Sequence, residues 1–262
     1  MIPILFEIGP FKVGSFGATM VTAFLVCVYL LQREFKRVGH PAEWAVNIVF
    51  IGAVGGIVGA RLYFIIEYFG EFVQDPAAMI FSGSGLTWYG GFIGGFLAIS
   101  WYIRRLSAPW LQIADLVAPL VLLGHAIGRI GCILAGDGDY GPPSDVPWAM
   151  SFPDGLVPTM VQVHPTPIYD SLMSLVLFSI LLRIRKRISI RGLIVGGLLM
   201  SYGTVRFISE FFRTTPKILF GWMTAAQLLS LLAIILGAAW IIFRLKNAQS
   251  QNPASSADQP VA

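Results

Sequence analysis

The sequence predicts an all-α polytopic membrane protein with seven transmembrane helices, its N-terminus outside, its C-terminus cytoplasmic, and one long loop forming an outer head. Three observations carry this reading. Hydrophobic residues make up 56% of the 262 residues and charged residues only 12%, about half the charge of a soluble domain, and mean hydropathy is +0.73. The apolar residues fall into runs on the scale of the roughly 20 residues that a helix needs to cross a bilayer. Lysine and arginine recur in alternate links between those runs.

The first run, 15–32, lacks a preceding basic segment and an A-x-A-like cleavage site, so it reads as a retained helix. Arg33, Lys36 and Arg37 follow it. The second run, 44–66, carries Gly52, Gly55, Gly56 and Gly59, and the third, 88–103, carries Gly90, Gly91, Gly94 and Gly95. Small residues three and four apart let helices approach closely, which accounts for both sets without a ligand. Glu67, Glu71 and Asp75 lie between these runs, and Arg104 and Arg105 follow the third. The fourth run, 111–127, is short like the third. From Gly128 to Pro165 the chain is rich in Gly, Pro and Asp, with Asp137, Asp139, Asp145 and Asp154. It is the one connection large enough to form a head.

The fifth run, 166–182, precedes Arg183, Arg185, Lys186, Arg187 and Arg191; the sixth is 192–209; the seventh, 219–243, precedes Arg244 and Lys246. The basic links mark the cytoplasmic side and the acidic links the outside. The net charge of +4 is then a topology signal, not a nucleic-acid surface. Cys27 and Cys132 fall at different depths, which argues against a disulfide. Residues 1–246 form one membrane domain, and 247–262, built of Gln, Asn, Ser, Ala and Pro, form a disordered cytoplasmic tail.

Ionised groups inside apolar sequence are costly and mark function by default. Here they concentrate in Gly128-Arg129-Ile130-Gly131 and in Tyr202 to Arg213. Arginine presents a planar, permanently charged fork suited to phosphate, so the pattern points to a lipid phosphate. Arg129 and Arg206 are the candidate phosphate clamp. Glu210, at i+4 from Arg206, could orient it, and Arg213 lies near the same face. A structural ion network at a helix end is the plainer alternative for these three. Arg61 reads on its own as a snorkelling residue. Tyr169 and Tyr202 could donate hydrogen bonds or act as interfacial anchors. Asp170 could orient a neighbour, and Asp115 serves structure. Backbone N–H groups around Gly136, Gly138 and Gly141 could line an anion site.

The order of these pieces resembles the bacterial phosphatidylglycerol:prolipoprotein diacylglyceryl transferases. The matching segments are Gly59-Ala60-Arg61-Leu62, Tyr89-Gly90-Gly91-Phe92-Ile93-Gly94, Gly128-Arg129-Ile130-Gly131, Ala135-Gly136-Asp137 leading to Gly141, His164 to Asp170, and Tyr202 to Arg213. The resemblance implies an inner-membrane transferase that moves the sn-1,2-diacylglyceryl group of phosphatidylglycerol to the lipobox cysteine of a prolipoprotein and releases glycerol 1-phosphate. It implies a substrate contact for Arg61 and places Asp137, Gly141, Tyr169, Tyr202 and Arg213 at the substrate. No metal or organic cofactor is expected, since no zinc pattern, phosphate loop or nucleotide fingerprint is visible. The partners are phosphatidylglycerol, the prolipoprotein and the bilayer, with no nucleic acid.

The chain departs from the family pattern at informative places. Tyr89 is a catalytic candidate by position, standing where many members have the histidine favoured as base, although tyrosine near pKa 10 is a poor base at neutral pH. Cys132 and Ala135 replace amides, Asp137 shortens a carboxylate, and Phe16 replaces a tyrosine. His125, four residues before Arg129, would share its helical face and is the proposed substitute base. His164 reads as a loop-to-helix contact. The rival readings are a non-catalytic paralogue that binds anionic phospholipid or precursor, and a small transporter. The long head loop and lack of an inverted repeat argue against the second.

Overall fold

The computed structural model describes residues 1–9, 11–81, 87–219 and 221–251. An antiparallel hairpin of β1 (Ile4–Ile8) and β2 (Phe11–Gly14) leads into α1 (Ser15–Arg37). Helix α2 (Glu43–Glu67) is followed by two single-turn pieces, α3 (Phe69–Gln74) and α4 (Pro76–Phe81), and then by α5 (Trp88–Ile103). Helix α6 (Trp110–Ala135) leads to the hairpin β3 (Met150–Phe152) and β4 (Thr159–Val163), then α7 (Thr166–Arg185) and α8 (Leu193–Ser209). A 3-10 turn at Glu210–Phe212, the hairpin β5 (Lys217–Leu219) and β6 (Met223–Thr224), and α9 (Ala225–Gln251) complete the order.

The protein is therefore mostly helical. Helices α1, α2, α6, α7 and α9 are long and apolar enough to cross a membrane, and α5 is a shorter apolar helix. Large apolar side chains such as Leu25, Ile57, Leu172 and Ile235 are more than half exposed. Water would penalise that surface, whereas hydrocarbon accepts it.

Three boundaries differ from the sequence expectation. Helix α6 does not stop at 127 but runs to Ala135, so the Gly128-Arg129-Ile130-Gly131 segment is helical and not the start of the outer loop. Nothing breaks the helix until Gly136, whose φ of +59° lets its N–H return to the Cys132 carbonyl at 2.9 Å. The last helix starts at Ala225, not 219, because the β5–β6 hairpin precedes it. A reciprocal capping box fixes that start: Gln227 N–H donates to Thr224 Oγ1 at 3.2 Å, and Thr224 N–H donates to Gln227 Oε1 at 3.1 Å. Helix α9 also continues into the expected tail as far as Gln251; the remainder of that tail lies outside the described residues.

The chain forms two compact units: Met1–Cys27 with the chain from Ala114 onward, and Val28–Ile113. In the second unit, α2 and α5 pack through the two glycine sets. A Cβ on Gly59 would meet Gly94 Cα at 2.7 Å, and one on Gly55 would meet the Gly94 carbonyl oxygen at 2.9 Å. The glycines are thus a packing device. In the first unit, Ala118 and Leu122 of α6, Leu181 of α7 and Ile194 of α8 form a buried core. Asp115 joins two of these helices, accepting from Gly192 N–H at 2.5 Å and Val195 N–H at 3.0 Å at the start of α8. Cys27 and Cys132 are both free and buried.

Candidate active site

Several ionisable side chains of the first unit meet where α6 ends, α7 begins and α8 ends. The extra turns of α6 carry Arg129 beside the first turn of α7, where Arg129 Nε lies 3.0 Å from Asp170 Oδ2. The two are close enough for an ion pair but not aligned as a hydrogen bond. Asp170 is only 1% exposed, and a carboxylate there needs a cation to offset its desolvation. The other end of the same guanidinium reaches Asp139, and Nη1 also approaches Cys132 Sγ at 3.6 Å.

Asp139 is the pivot. Its Oδ2 pairs with Arg129 and its Oδ1 with Arg213 Nη2 at 2.8 Å, and Arg213 also donates to the Asp139 carbonyl oxygen at 3.3 Å. The turn that aims it depends on Gly136 and Gly138, both at positive φ, and on Asp137, whose Oδ1 accepts the Asp139 N–H at 3.2 Å. Burial pushes the Asp139 carboxyl up, but the guanidiniums of Arg129, Arg213 and Arg206 outweigh burial and hold it below the ordinary carboxylate range. All three arginines thus act on one carboxylate. Arg206 itself pairs through Nη2 with Glu210 Oε2 at 3.1 Å, and Glu210 is 3% exposed.

Gly141 sits where the head loop crosses the end of the 3-10 turn. Its N–H donates to the His164 carbonyl at 2.8 Å, and a Cβ there would collide with the Phe212 carbonyl oxygen and come within 3.0 Å of Thr166 Oγ1. Thr166 donates to that same Phe212 carbonyl at 2.9 Å. Tyr169 belongs to the adjoining aromatic cluster: its hydroxyl accepts from Trp148 Nε1 at 2.7 Å and lies 3.1 Å from His164 Nδ1, and its ring meets Phe212 edge-on at 5.3 Å. His164 is the loop-to-helix contact that its sequence context suggests. His125 shares α6 with Arg129, with Nδ1 2.9 Å from Ser174 Oγ and its ring edge-on to Tyr202 at 5.3 Å. Both His125 and Tyr202 lie within electrostatic reach of the three arginines.

Arg129, Arg206, Glu210, Arg213, His125 and Tyr202 are thus brought together, with Asp137, Gly141 and Tyr169 flanking them. Tyr89 and Arg61 belong to the other unit. Tyr89 is half exposed, with its ring 6.4 Å from that of Tyr63, and Arg61 donates to the Met79 carbonyl at 3.0 Å. Sequence reasoning missed the bridging role of Asp139 and the Ser174 partner of His125. The Gly-Asp-Gly-Asp run at 136–139 was the available signal, since alternating glycines let a short loop turn its carboxylates inward. Cys132, Asp137 and Asp139 offer ligand atoms within 4.8 Å of one another. Asp139 already answers two guanidiniums, so a divalent cation would meet like charge.

The cluster matches three arginines with three carboxylates, Asp139, Asp170 and Glu210. A guanidinium carries five donors, so one or two carboxylate contacts leave others able to take an incoming anion. Against known proteins, the model of the prolipoprotein diacylglyceryl transferase family matches residues 3–243. The chain is similar to a protein of Clostridium tetani, 32% identical over 238 residues, covering 90% of this chain and 95% of that one. It is similar to one of Vibrio cholerae at 32% over 259 residues (95% and 94%), and to one of Coxiella burnetii at 34% over 262 residues (93% and 96%). All three are named phosphatidylglycerol--prolipoprotein diacylglyceryl transferase.

Proposed function

The chain belongs to the prolipoprotein diacylglyceryl transferase family, and from that premise we infer how its residues perform the transfer. The protein moves the sn-1,2-diacylglyceryl group of phosphatidylglycerol to the cysteine of a prolipoprotein and releases glycerol 1-phosphate. The thiol loses its proton, the sulfur attacks the glycerol carbon next to the phosphate, the C–O bond breaks, and a C–S thioether forms. The electron pair leaves with the phosphate monoester. Two features set the barrier. A cysteine with pKa near 8.5 is only a few per cent thiolate at neutral pH, and negative charge grows on the departing phosphate.

Arg129 and Arg206 take the phosphate, with Arg213 beside them. Asp139, Asp170 and Glu210 hold the guanidiniums in place so that they need not reorganise as charge develops. The observation that carries this reading is the bridging of Arg129 and Arg213 by one loop carboxylate. His125 takes the thiol proton if its Nδ1–H donates to Ser174, which leaves Nε2 unprotonated and able to accept. Asp137, Gly141, Tyr169 and Tyr202 shape the substrate site, and Arg61 contacts the phosphatidylglycerol headgroup. Tyr89, half exposed and without a base's chemistry, fits a role at the lipid surface better than one in proton transfer. The acceptor is the lipobox segment.

Seven spans, with α5 and α8 completing the five longer helices, are supported by the alternation of basic and acidic links. We propose on that basis that the Arg129 end of α6 lies outside and the C-terminus in the cytoplasm, with the protein in a bacterial inner membrane. The non-catalytic alternative is not favoured, since the matched relatives carry the transferase name.

The test combines purified protein, phosphatidylglycerol and a lipobox peptide. Release of glycerol phosphate should accompany a diacylglyceryl mass gain on the peptide, and Arg129→Ala should slow both by about a hundredfold or more, from the loss of roughly 3 kcal/mol of transition-state stabilisation. Lipid binding with neither product would overturn the reading.

A further inference from the structure

The second unit holds a cavity of ≈ 620 Å³ where α5 ends and α6 begins. Phe96 and Leu97 line it together with Ser100, Arg104, Arg105 and Trp110. None of these residues belongs to the arginine–carboxylate cluster.

Two donors in the lining are orphaned. Ser100 is 8% exposed, and neither its buried Oγ nor the buried Trp110 Nε1 has a hydrogen-bond partner among the described residues. Other hydroxyls in these helices satisfy themselves: Thr22, Ser179 and Ser230 each donate to the carbonyl four residues back, at 2.8, 2.8 and 2.6 Å. Ser100 has the same option and does not use it. A buried donor left without an acceptor is unfavourable and calls for a partner.

The chemistry of the lining defines that partner. An indole N–H only donates, guanidiniums only donate, and a hydroxyl can donate. Among the described residues no carboxylate lines the cavity, so the ligand is an acceptor and an anion. Paired guanidiniums favour phosphate. Arg105 is also held in place, with its guanidinium 4.5 Å from the Trp101 ring centroid. The arginines lie just past the end of α5, and Phe96 and Leu97 lie about one turn before Ser100 on that helix. Tryptophan and arginine at a helix end are typical of the headgroup level. We propose that this cavity binds the phosphate of an anionic glycerophospholipid, with an acyl chain running along Phe96 and Leu97. On the topology proposed above, the lipid comes from the cytoplasmic leaflet.

The full chain in detergent, without peptide so that nothing turns over, can be examined by native mass spectrometry. Phosphatidylglycerol, phosphatidylcholine and inorganic phosphate are added in separate arms. Phosphatidylglycerol should be retained over phosphatidylcholine. The double variant R104Q/R105Q should lose one retained lipid, with at least a tenfold weaker affinity for it. S100A, which cannot disturb the exposed arginines, should weaken the same lipid several-fold. Unchanged retention in S100A and the double variant would overturn the site. Equal retention of phosphatidylcholine would overturn its preference for an anion, and competition by inorganic phosphate at the lipid's own affinity would overturn the lipid assignment. Arg129→Ala should retain this lipid while losing transfer, so the two readings fail separately.

Discussion

Asp139 sits where two guanidiniums meet, and its charge is therefore shared between groups that would otherwise repel. Asp139→Asn keeps the shape and removes that charge. Hydrogen bonds to charged groups contribute about 1.5–3 kcal/mol, so transfer should fall roughly tenfold to a hundredfold, measured as glycerol phosphate release. The sign of the pH effect follows from the direction of its shift. A carboxyl held below its ordinary value stabilises the fold at pH above the unfolded pKa of about 3.9. That contribution fades as pH falls through the lowered value. The Tm difference between the wild type and Asp139→Asn should thus stay constant from about pH 5 to 8 and vanish in stronger acid. His125 makes a separate prediction. With Arg129 intact, His125→Gln should lower transfer by roughly 10²-fold or more if the imidazole is the base. Near-normal transfer would leave the thiol to be acidified by the arginines alone.

Glycine decides how closely α2 and α5 approach. Gly59→Ala places a methyl against the Gly90 carbonyl and Gly94 Cα, and backbone cannot move aside as a side chain can. A loss of about 1–3 kcal/mol is expected, read as a lower Tm. Gly17→Ala in α1 is the matched control. Its Cβ would meet nothing within 4 Å, so the better helix propensity of alanine should be neutral or stabilise by up to about 1 kcal/mol. The helices themselves were largely legible from apolar runs. The end of α6 was not, because glycine at 128 and 131 reads as a breaker in sequence. In the fold, those glycines admit α1 instead: Met20 Sδ lies 3.5 Å from a Cβ placed on Gly128, and the Phe16 ring 3.2 Å from one on Gly131. The Thr224 to Gln227 capping box was visible in the sequence, but it was hidden inside a run read only for hydrophobicity.

At the scale of the whole molecule, the proposed topology rests on the charge of the links. Both native cysteines are buried, so single cysteines introduced at exposed loop positions can be labelled over a low background. A cysteine at Asp145 should react with an impermeant maleimide in intact cells, and one at Lys186 only after permeabilisation. The reverse pattern would invert the orientation.

Hydrophobic run length and the six ordered motifs were enough to point to a polytopic membrane protein of the transferase family, because each is a local property of the chain. Which carboxylate each arginine meets was not local. Asp139 reaches Arg129 and Arg213 only because two positive-φ glycines turn the head loop back over the end of α6. Asp170 reaches Arg129 only because α6 extends far enough to stand beside the first turn of α7. Periodicity records which face of a helix a residue occupies. Pairing across helices depends on where each helix ends and how its loop returns, and only the tertiary structure decided that.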